Sequence, residues 1–210
     1  TPIQYDIANY LQSKDKRLII NAFRGVGKSW ITSAYVCHQL LLNPQLNILV
    51  VSASKNRADD FSTFTLRLIN EIDVLAHLRP REDQRQSKVS FDVKPARASH
   101  APSVKSLGIT GQLTGSRSDL VIADDVESAN NSATMGMRDK LSEQVKEFES
   151  ILKPQGRIIF LGTMQTEMSL YNVLPTRGYK QRIWTARYPT EKQLNNFGNT
   201  IAPFIRNSWS

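Results

Sequence analysis

Residues 22–29 read Ala-Phe-Arg-Gly-Val-Gly-Lys-Ser, between the apolar run Leu18-Ile19-Ile20 and an apolar-periodic segment from Trp30 to Leu42. A buried strand that turns through glycines into a helix constrains this chain more than any other stretch, because it fixes a strand–loop–helix unit and a layered arrangement around it. The residue types are those of a phosphate-binding loop. Gly25, Val26 and Gly27 let backbone N–H groups curl around a β-phosphate, and the helix N-terminus adds a favourable dipole. Lys28 offers a point charge to the β- and γ-phosphates, and the Ser29 hydroxyl is a ligand for Mg²⁺. One position departs from the pattern: Ala22 stands where the first glycine usually does. The alternative is a plain glycine-containing loop between core elements, and the Gly-Lys-Ser ending in this context weighs against it.

The rest of the chain extends the unit. Thr1-Pro2 predicts an N-cap and a first-turn proline opening a helix to about Leu11. Leu46 to Ser52 predicts a second buried strand. Phe61, Phe64, Leu68, Ile72 and Leu75 fall at helical spacing and read as a core stripe of one long helix. Short strands are expected at 89–93 and 104–109, with a turn-rich loop at 111–118 between the second of these and the next apolar run. Leu120 to Ala123 reads as a strand running into Asp124-Asp125. Met137, Leu141, Val145, Phe148, Ile151 and Leu152 predict one amphipathic helix. A strand over Arg157–Leu161, a short helix from Thr166, a strand over 181–186 and a polar tail complete the chain. Strands alternating with helices predict an α/β fold with a parallel sheet and helices on both faces.

With 210 residues the chain suits one sizeable core. The 40% apolar and 22% charged content is that of a soluble globular domain, and neither a membrane-length apolar run nor a signal peptide is visible. A lone cysteine, Cys37, permits no intrachain disulfide, fits a reducing cytosol and reads as core filler. His38, His77 and His100 show no metal-ligand spacing. The net charge of +8 favours a polyanionic partner, nucleic acid first. Residues 77–103 concentrate Arg79, Arg81, Arg85, Lys88, Lys94 and Arg97, either as a solvated excursion from the core or as a DNA-facing surface. A first residue other than methionine suggests a piece of a longer protein.

A second constellation lies at 119–127, Asp-Leu-Val-Ile-Ala-Asp-Asp-Val-Glu. Carboxylates at the end of an apolar strand serve an ion or a substrate more readily than they serve packing. Asp124 is placed to hold Mg²⁺ opposite Ser29. Asp125 or Glu127 should orient and deprotonate an attacking water; Asp125 is preferred because it follows the metal acid, and Glu127 is the rival because Asp125 is one methylene shorter than the usual glutamate. Arg24, inside the loop, either neutralises γ-phosphate charge or packs structurally. Arg57 and Arg117 are candidates to reach a neighbouring subunit's nucleotide. Thr163 either bridges a γ-phosphate sensor to another element or caps a turn.

Six segments carry a family resemblance: 22–29, Val-Ser-Ala-Ser-Lys (51–55), Pro-Ser-Val-Lys-Ser (102–106), Gly-Ile-Thr-Gly-Gln-Leu-Thr-Gly-Ser-Arg (108–117), Ile-Ala-Asp-Asp-Val-Glu (122–127) and Leu-Gly-Thr (161–163). Together they closely resemble the large terminase subunit of short-tailed, T-odd-type bacteriophages, a DNA-packaging motor. The resemblance implies a P-loop NTPase of the additional-strand, RecA-like class over residues 1–190, with 191–210 starting a linker towards an RNase H-like nuclease domain outside this chain. It implies Gln4 as the adenine-recognising glutamine, Arg24 as the loop arginine, Asp124 as the Mg²⁺ acid and Thr163 as the coupling position. The family's usual Asp-Glu pair is Asp124-Asp125 here. Implied partners are ATP, Mg²⁺, double-stranded DNA, a portal protein and a small terminase subunit, in a pentamer docked transiently on a procapsid in the host cytoplasm. The competing readings are one lobe of a superfamily-2-type helicase, which needs a second lobe that 210 residues cannot hold, and a nucleotide-binding assembly module that does not hydrolyse.

Overall fold

The computed structural model describes residues 1–113, 115–164 and 166–207. Thr114 of the expected turn-rich loop and residues 208–210 of the expected linker lie outside them. The elements run α1 (Pro2–Leu11), β1 (Arg17–Ala22), α2 (Lys28–Leu42), β2 (Ile48–Ser52), α3 (Lys55–Glu71), β3 (Ser90–Phe91), β4 (Val104–Gly108) and β5 (Ser118–Asp124). They continue with α4 (Ala129–Ser132), α5 (Met135–Gln144), α6 (Glu147–Ile151), β6 (Leu152–Gly162), α7 (Leu170–Val173), β7 (Lys180–Trp184), α8 (Glu191–Phe197) and α9 (Pro203–Asn207).

Among the described residues one sheet carries the order β3-β4-β2-β5-β6-β1-β7. Every pairing is parallel except that of β3 with β4. Strands buried on both faces need apolar side chains pointing both ways, and Leu18–Ile20 of β1 and Leu120–Ala123 of β5 supply them. Leu18, Ile20, Ile48, Val50, Leu120, Ile122, Ile159 and Leu161 point into a core shared with α1, α2 and α3. The residues between them, Ile19, Leu49, Val51, Val121, Ala123, Ile158 and Phe160, point into a second core closed by α5, α6 and α7. Period-two alternation thus places helices on both faces, as the sequence predicts. Fully burying one such aliphatic side chain contributes about 1.5–3 kcal/mol, so the central strands hold the molecule together.

Several boundaries differ from the sequence reading for identifiable reasons. The helix expected to carry Ile72 ends at Glu71; Ile72 is extended and 41% exposed, and a short 3₁₀ segment over 73–78 then buries Leu75 and Leu78. The buried face of α3 includes Asp59, Ser62 and Thr65, which a purely apolar stripe would not select. Thr65 is satisfied by donating to the Phe61 carbonyl, at 2.9 Å. The single helix expected over 137–152 is two, α5 and α6, because the chain bends at Val145-Lys146 and becomes extended at Leu152 to pair with Ser118. β6 is correspondingly longer than the expected 157–161, and Lys153 anchors its start by donating to Asn47 and Asp119 at 2.6 and 2.8 Å. The helix expected from Thr166 is confined to α7.

The basic excursion wraps the β3 edge of the sheet, buries Phe91 and Val93, and spends part of its charge internally. Arg85 donates to the Ser99 carbonyl at 2.7 Å and Arg81 to the Lys94 carbonyl at 3.0 Å. Cys37 is buried on α2, and burial pushes its thiol up to about 12. Residues 191–207 fold back on the sheet: Ile201 bridges Ile183 in parallel, and Ile201, Ala202 and Ile205 are buried.

Gly162, the last residue of β6, shows how tightly the second core closes. A Cβ built there would lie 2.1 Å from the Tyr171 hydroxyl and ring, and Tyr171 is itself buried. Gly162→Ala is therefore expected to destabilise the protein by about 3 kcal/mol, the upper part of the overpacking range, measured by urea unfolding; an unchanged midpoint would show that Tyr171 has room to move.

Candidate active site

β2, β5, β6 and β1 are neighbours and run parallel, so Ser52, Asp124, the Gly162-Thr163 step and Ala22 end at one edge of the sheet. Ligands of open α/β sheets bind at this carboxyl edge. β6 lies between the loop strand β1 and the acid strand β5, and it delivers Thr163 into the gap between loop and acids. An open cleft of about 770 Å³ follows, whose lining includes Arg24, Gly25, Gly27, Lys28, Ser29, Asp124, Asp125, Glu127 and Thr163 together with Trp30, Arg57 and Phe64.

The loop geometry rests on its glycines. Gly25 and Gly27 both have φ of +85°, a left-handed backbone that side chains with a Cβ resist. Gly27 is the N-cap of α2 without a capping side chain, so the first N–H groups of a 15-residue helix face the cleft free for an anion. Gln4 on α1 donates to the Val26 carbonyl at 3.0 Å and braces the loop from behind. Lys28 is buried and donates to the Ala22 and Phe23 carbonyls at 2.9 and 3.3 Å and to the Thr163 hydroxyl at 3.2 Å. Thr163 donates in turn to the Ala22 carbonyl at 3.0 Å.

Ser29 donates to the Asp124 carboxylate, 2.9 and 3.1 Å from its two oxygens. Burial first, and then the neighbouring Asp125, push the Asp124 carboxyl up to about 6, against the opposing Ser29 hydrogen bond and the Lys28 and Arg57 charges. Burial likewise lowers Lys28, with Arg24 adding to the effect and Asp125 and Asp124 opposing it. A hydroxyl beside a carboxylate whose ionisation is suppressed by desolvation and by a second acid is a donor set that suits a hard divalent cation. Asp125 has a left-handed backbone, φ 46°, and its N–H is fixed on the Leu161 carbonyl of β6 at 2.9 Å.

The structure therefore brings together Gln4, Arg24, the loop, Ser29, Asp124, Asp125, Glu127, Thr163 and Arg57. It separates Arg117, at the other end of β5, roughly 20 Å away at about 3.3 Å per residue. Arg117 lines a different cavity of about 350 Å³ with Lys105 and Lys153. Three participants lie outside the sequence expectation. Trp30, 68% exposed, packs on Phe64 with ring centroids 4.5 Å apart, so Phe64, expected in the core stripe of its helix, is half-buried and walls the cleft instead. Ser169, which bonds Glu127 beyond β5, and Tyr171, which bonds the Leu161 carbonyl of β6, come from the start of α7, far along the chain, with only a Ser-x-Tyr spacing to mark them.

The fold, with its inserted strand and glycine loop, is that of a P-loop NTPase of the additional-strand, RecA-like class. Comparison then narrows the class: residues 19–150 match the family model described as terminase large subunit, T4likevirus-type, N-terminal, and the chain belongs to that family. It is 51% identical over 215 residues to the terminase large subunit of Enterobacteria phage T3, spanning all of this chain and 37% of that protein. The N-terminal domain of the DNA packaging ATPase from bacteriophage phi29 has the same fold at 11% identity, with a TM-score of 0.52 over 86% of this chain and 90% of that one. The expected resemblance to large terminase subunits is thereby borne out. Among the described residues no helix is long and apolar enough to cross a membrane.

The Asp124 carboxyl lies above its unfolded value of about 3.9, so its contribution to stability is present below pH 4 and lost as pH rises through 6. Without divalent cations, Asp124→Asn should therefore stabilise the protein at pH 7–8, by at most on the order of 3 kcal/mol, and leave it unchanged near pH 4. Thermal melts at the two pH values test this; equal melting at pH 8 would refute the burial argument.

Proposed function

We propose that this chain is the ATP-hydrolysing motor domain of a phage terminase large subunit, coupling Mg·ATP hydrolysis to translocation of double-stranded DNA into a procapsid. The carrying observation is the convergence of Lys28, Ser29, Thr163, Asp124 and Asp125 at one sheet edge through strands separated in sequence. In this reading the loop N–H groups and Lys28 cradle the β- and γ-phosphates, and Gln4 meets the adenine from the side of the loop it already braces. Ser29 and Asp124 hold Mg²⁺, which when bound offsets charge on the β- and γ-phosphate oxygens. Asp125 takes the proton of a water that attacks the γ-phosphorus, the bond to the β–γ bridging oxygen breaks, and ADP and phosphate leave. Arg24 neutralises charge on the transferring group.

Arg57 faces its own cleft, which supports a role in the same subunit; Arg117 at the opposite end of β5 is free to serve a neighbouring copy in a pentamer. Portal protein, small terminase subunit and duplex DNA complete the assembly, transiently docked on the procapsid in the host cytoplasm. Residues 1–190 form the ATPase core, 191–207 pack against it, and a nuclease domain belongs to the part of the protein beyond this chain.

Single-turnover ATP hydrolysis by full-length protein with DNA and portal, with ATP binding measured separately, tests the reading. Asp125→Asn should bind ATP normally and lose turnover by roughly 10²–10⁴-fold. Normal ATP binding with no turnover in the wild-type assembly would replace the motor with a nucleotide-dependent assembly module.

A further inference from the structure

Glu127 stands two residues beyond Asp125, but its side chain is committed to its own chain. It is 7% exposed, and its Oε2 accepts from the Ser169 hydroxyl and from the Leu170 N–H, the latter at 3.1 Å. A buried carboxylate is tolerated only where such donors compensate its lost hydration, and here the compensation comes from the first turn of α7. Ser169 is fully buried and also accepts from the Tyr171 N–H at 3.4 Å, so it belongs to the same cluster.

The cluster continues beneath the acids. Tyr171 donates its hydroxyl to the Leu161 carbonyl at 3.1 Å, and Leu161 is the residue whose carbonyl also fixes the Asp125 N–H. Gln181 on β7 donates to the Tyr171 carbonyl at 3.3 Å and to Asn21 Oδ1 at 2.7 Å, which ties α7 to the loop strand β1. At the other end of the connection from β6 to α7, Thr163 accepts from Lys28 and donates to Ala22. Thr163 is thus pinned to the phosphate loop, and Ser169 to Tyr171 are pinned to Glu127 and to the end of β6.

We propose that Glu127 is a positioning residue: a latch that fixes α7 to the end of β5 and so sets Thr163 and Asp125 in register with Lys28, while Asp125 alone serves as base. This rests on the hydrolytic reading above. The latch depends on an acceptor oxygen and not on a negative charge, whereas a base requires the ionisable carboxylate, and this difference separates the two roles.

The test uses full-length protein with Glu127→Ala, Glu127→Gln, Ser169→Ala and the Glu127→Ala/Ser169→Ala double variant. Single-turnover hydrolysis, ATP binding and hydrogen exchange at the Leu170 amide are measured for each. Glu127→Ala should slow turnover about tenfold or more and speed Leu170 exchange by a similar factor, as loss of an orienting partner does. Glu127→Gln should restore both to within about threefold of wild type, because its amide oxygen accepts the same N–H. The double variant should be slower than Glu127→Ala by far less than the two single effects combined, since the Ser169–Glu127 bond is common to both changes and Ser169→Ala adds only the loss of its bond from the Tyr171 N–H; full additivity would overturn the latch. A Glu127→Gln protein that binds ATP, keeps Leu170 protected and yet loses turnover by about 10²-fold or more would make Glu127 the base and overturn the latch. Wild-type turnover in Glu127→Ala would overturn it as well. Should that variant not fold, Ser169→Ala carries the test: slower turnover with faster Leu170 exchange supports the latch, and wild-type behaviour sinks it. Leu170 exchange is read without hydrolysis, so failure of the latch stays distinct from failure of the motor reading.

Discussion

The buried ammonium of Lys28 is the interaction on which the carboxyl edge depends. An ammonium removed from water demands oxygens on every available side. It takes them from the backbone of the loop strand and from Thr163 on the inserted strand. Those bonds tie the phosphate loop to the residue just past β6, whose ladder with β5 sets where Asp124 stands. The opposing charges are unequal: two aspartates press on one another beside a single buried lysine, and Asp124 bears the excess. Asp124 bears it although Lys28 and Arg57 both pull its carboxyl down, because burial and Asp125 together outweigh them.

The attachment of α3 to the sheet rests on polar contacts as well as on apolar packing. Its buried Asp59 is held by Lys55 at 2.5 Å and by the Ser106 hydroxyl at 2.6 Å, and these hydrogen bonds keep the carboxyl below the usual range in spite of its burial. The chain comes close enough to the end of β4 that a Cβ on Gly108 would lie 2.9 Å from the Lys55 nitrogen. Directed hydrogen bonds and a glycine contact fix the register of a helix more narrowly than apolar packing does. Arg57, two residues from Lys55, inherits that precision at the mouth of the cleft.

Much of this was legible in the sequence. Uninterrupted apolar runs such as 18–20 and 120–123 marked strands covered on both faces, and the glycine loop and the acid pair marked the strand ends that meet. The pairing of Ser29 with Asp124 could be read from residue types alone, because hydroxyl and carboxylate there have one common use. What escaped reading was set by tertiary contact. The bend between α5 and α6 leaves the apolar spacing of 141, 145, 148 and 151 intact, so periodicity could not reveal it. Asp59 on the polar face of α3 can be buried because Ser106 of β4 lies opposite it and Lys55, one turn earlier on the same helix, reaches back to it. Glu127 looked like a second catalytic acid because its donors, Ser169 and Leu170, come from more than forty residues further along.

The left-handed backbone at Asp125 also bears on which acid stands there. Among residues with a Cβ, the short polar side chains of aspartate and asparagine enter this region far more readily than longer ones, glutamate included. The N–H bond to β6 holds the backbone in that shape, so the chain carries the carboxylate forward by its own turn where a straighter segment would need an extra methylene. Aspartate in place of the glutamate that the resemblance leads one to expect is thus the residue this turn favours. It is a choice of reach through backbone instead of side chain, and it leaves the carboxylate with one fewer rotatable bond to freeze.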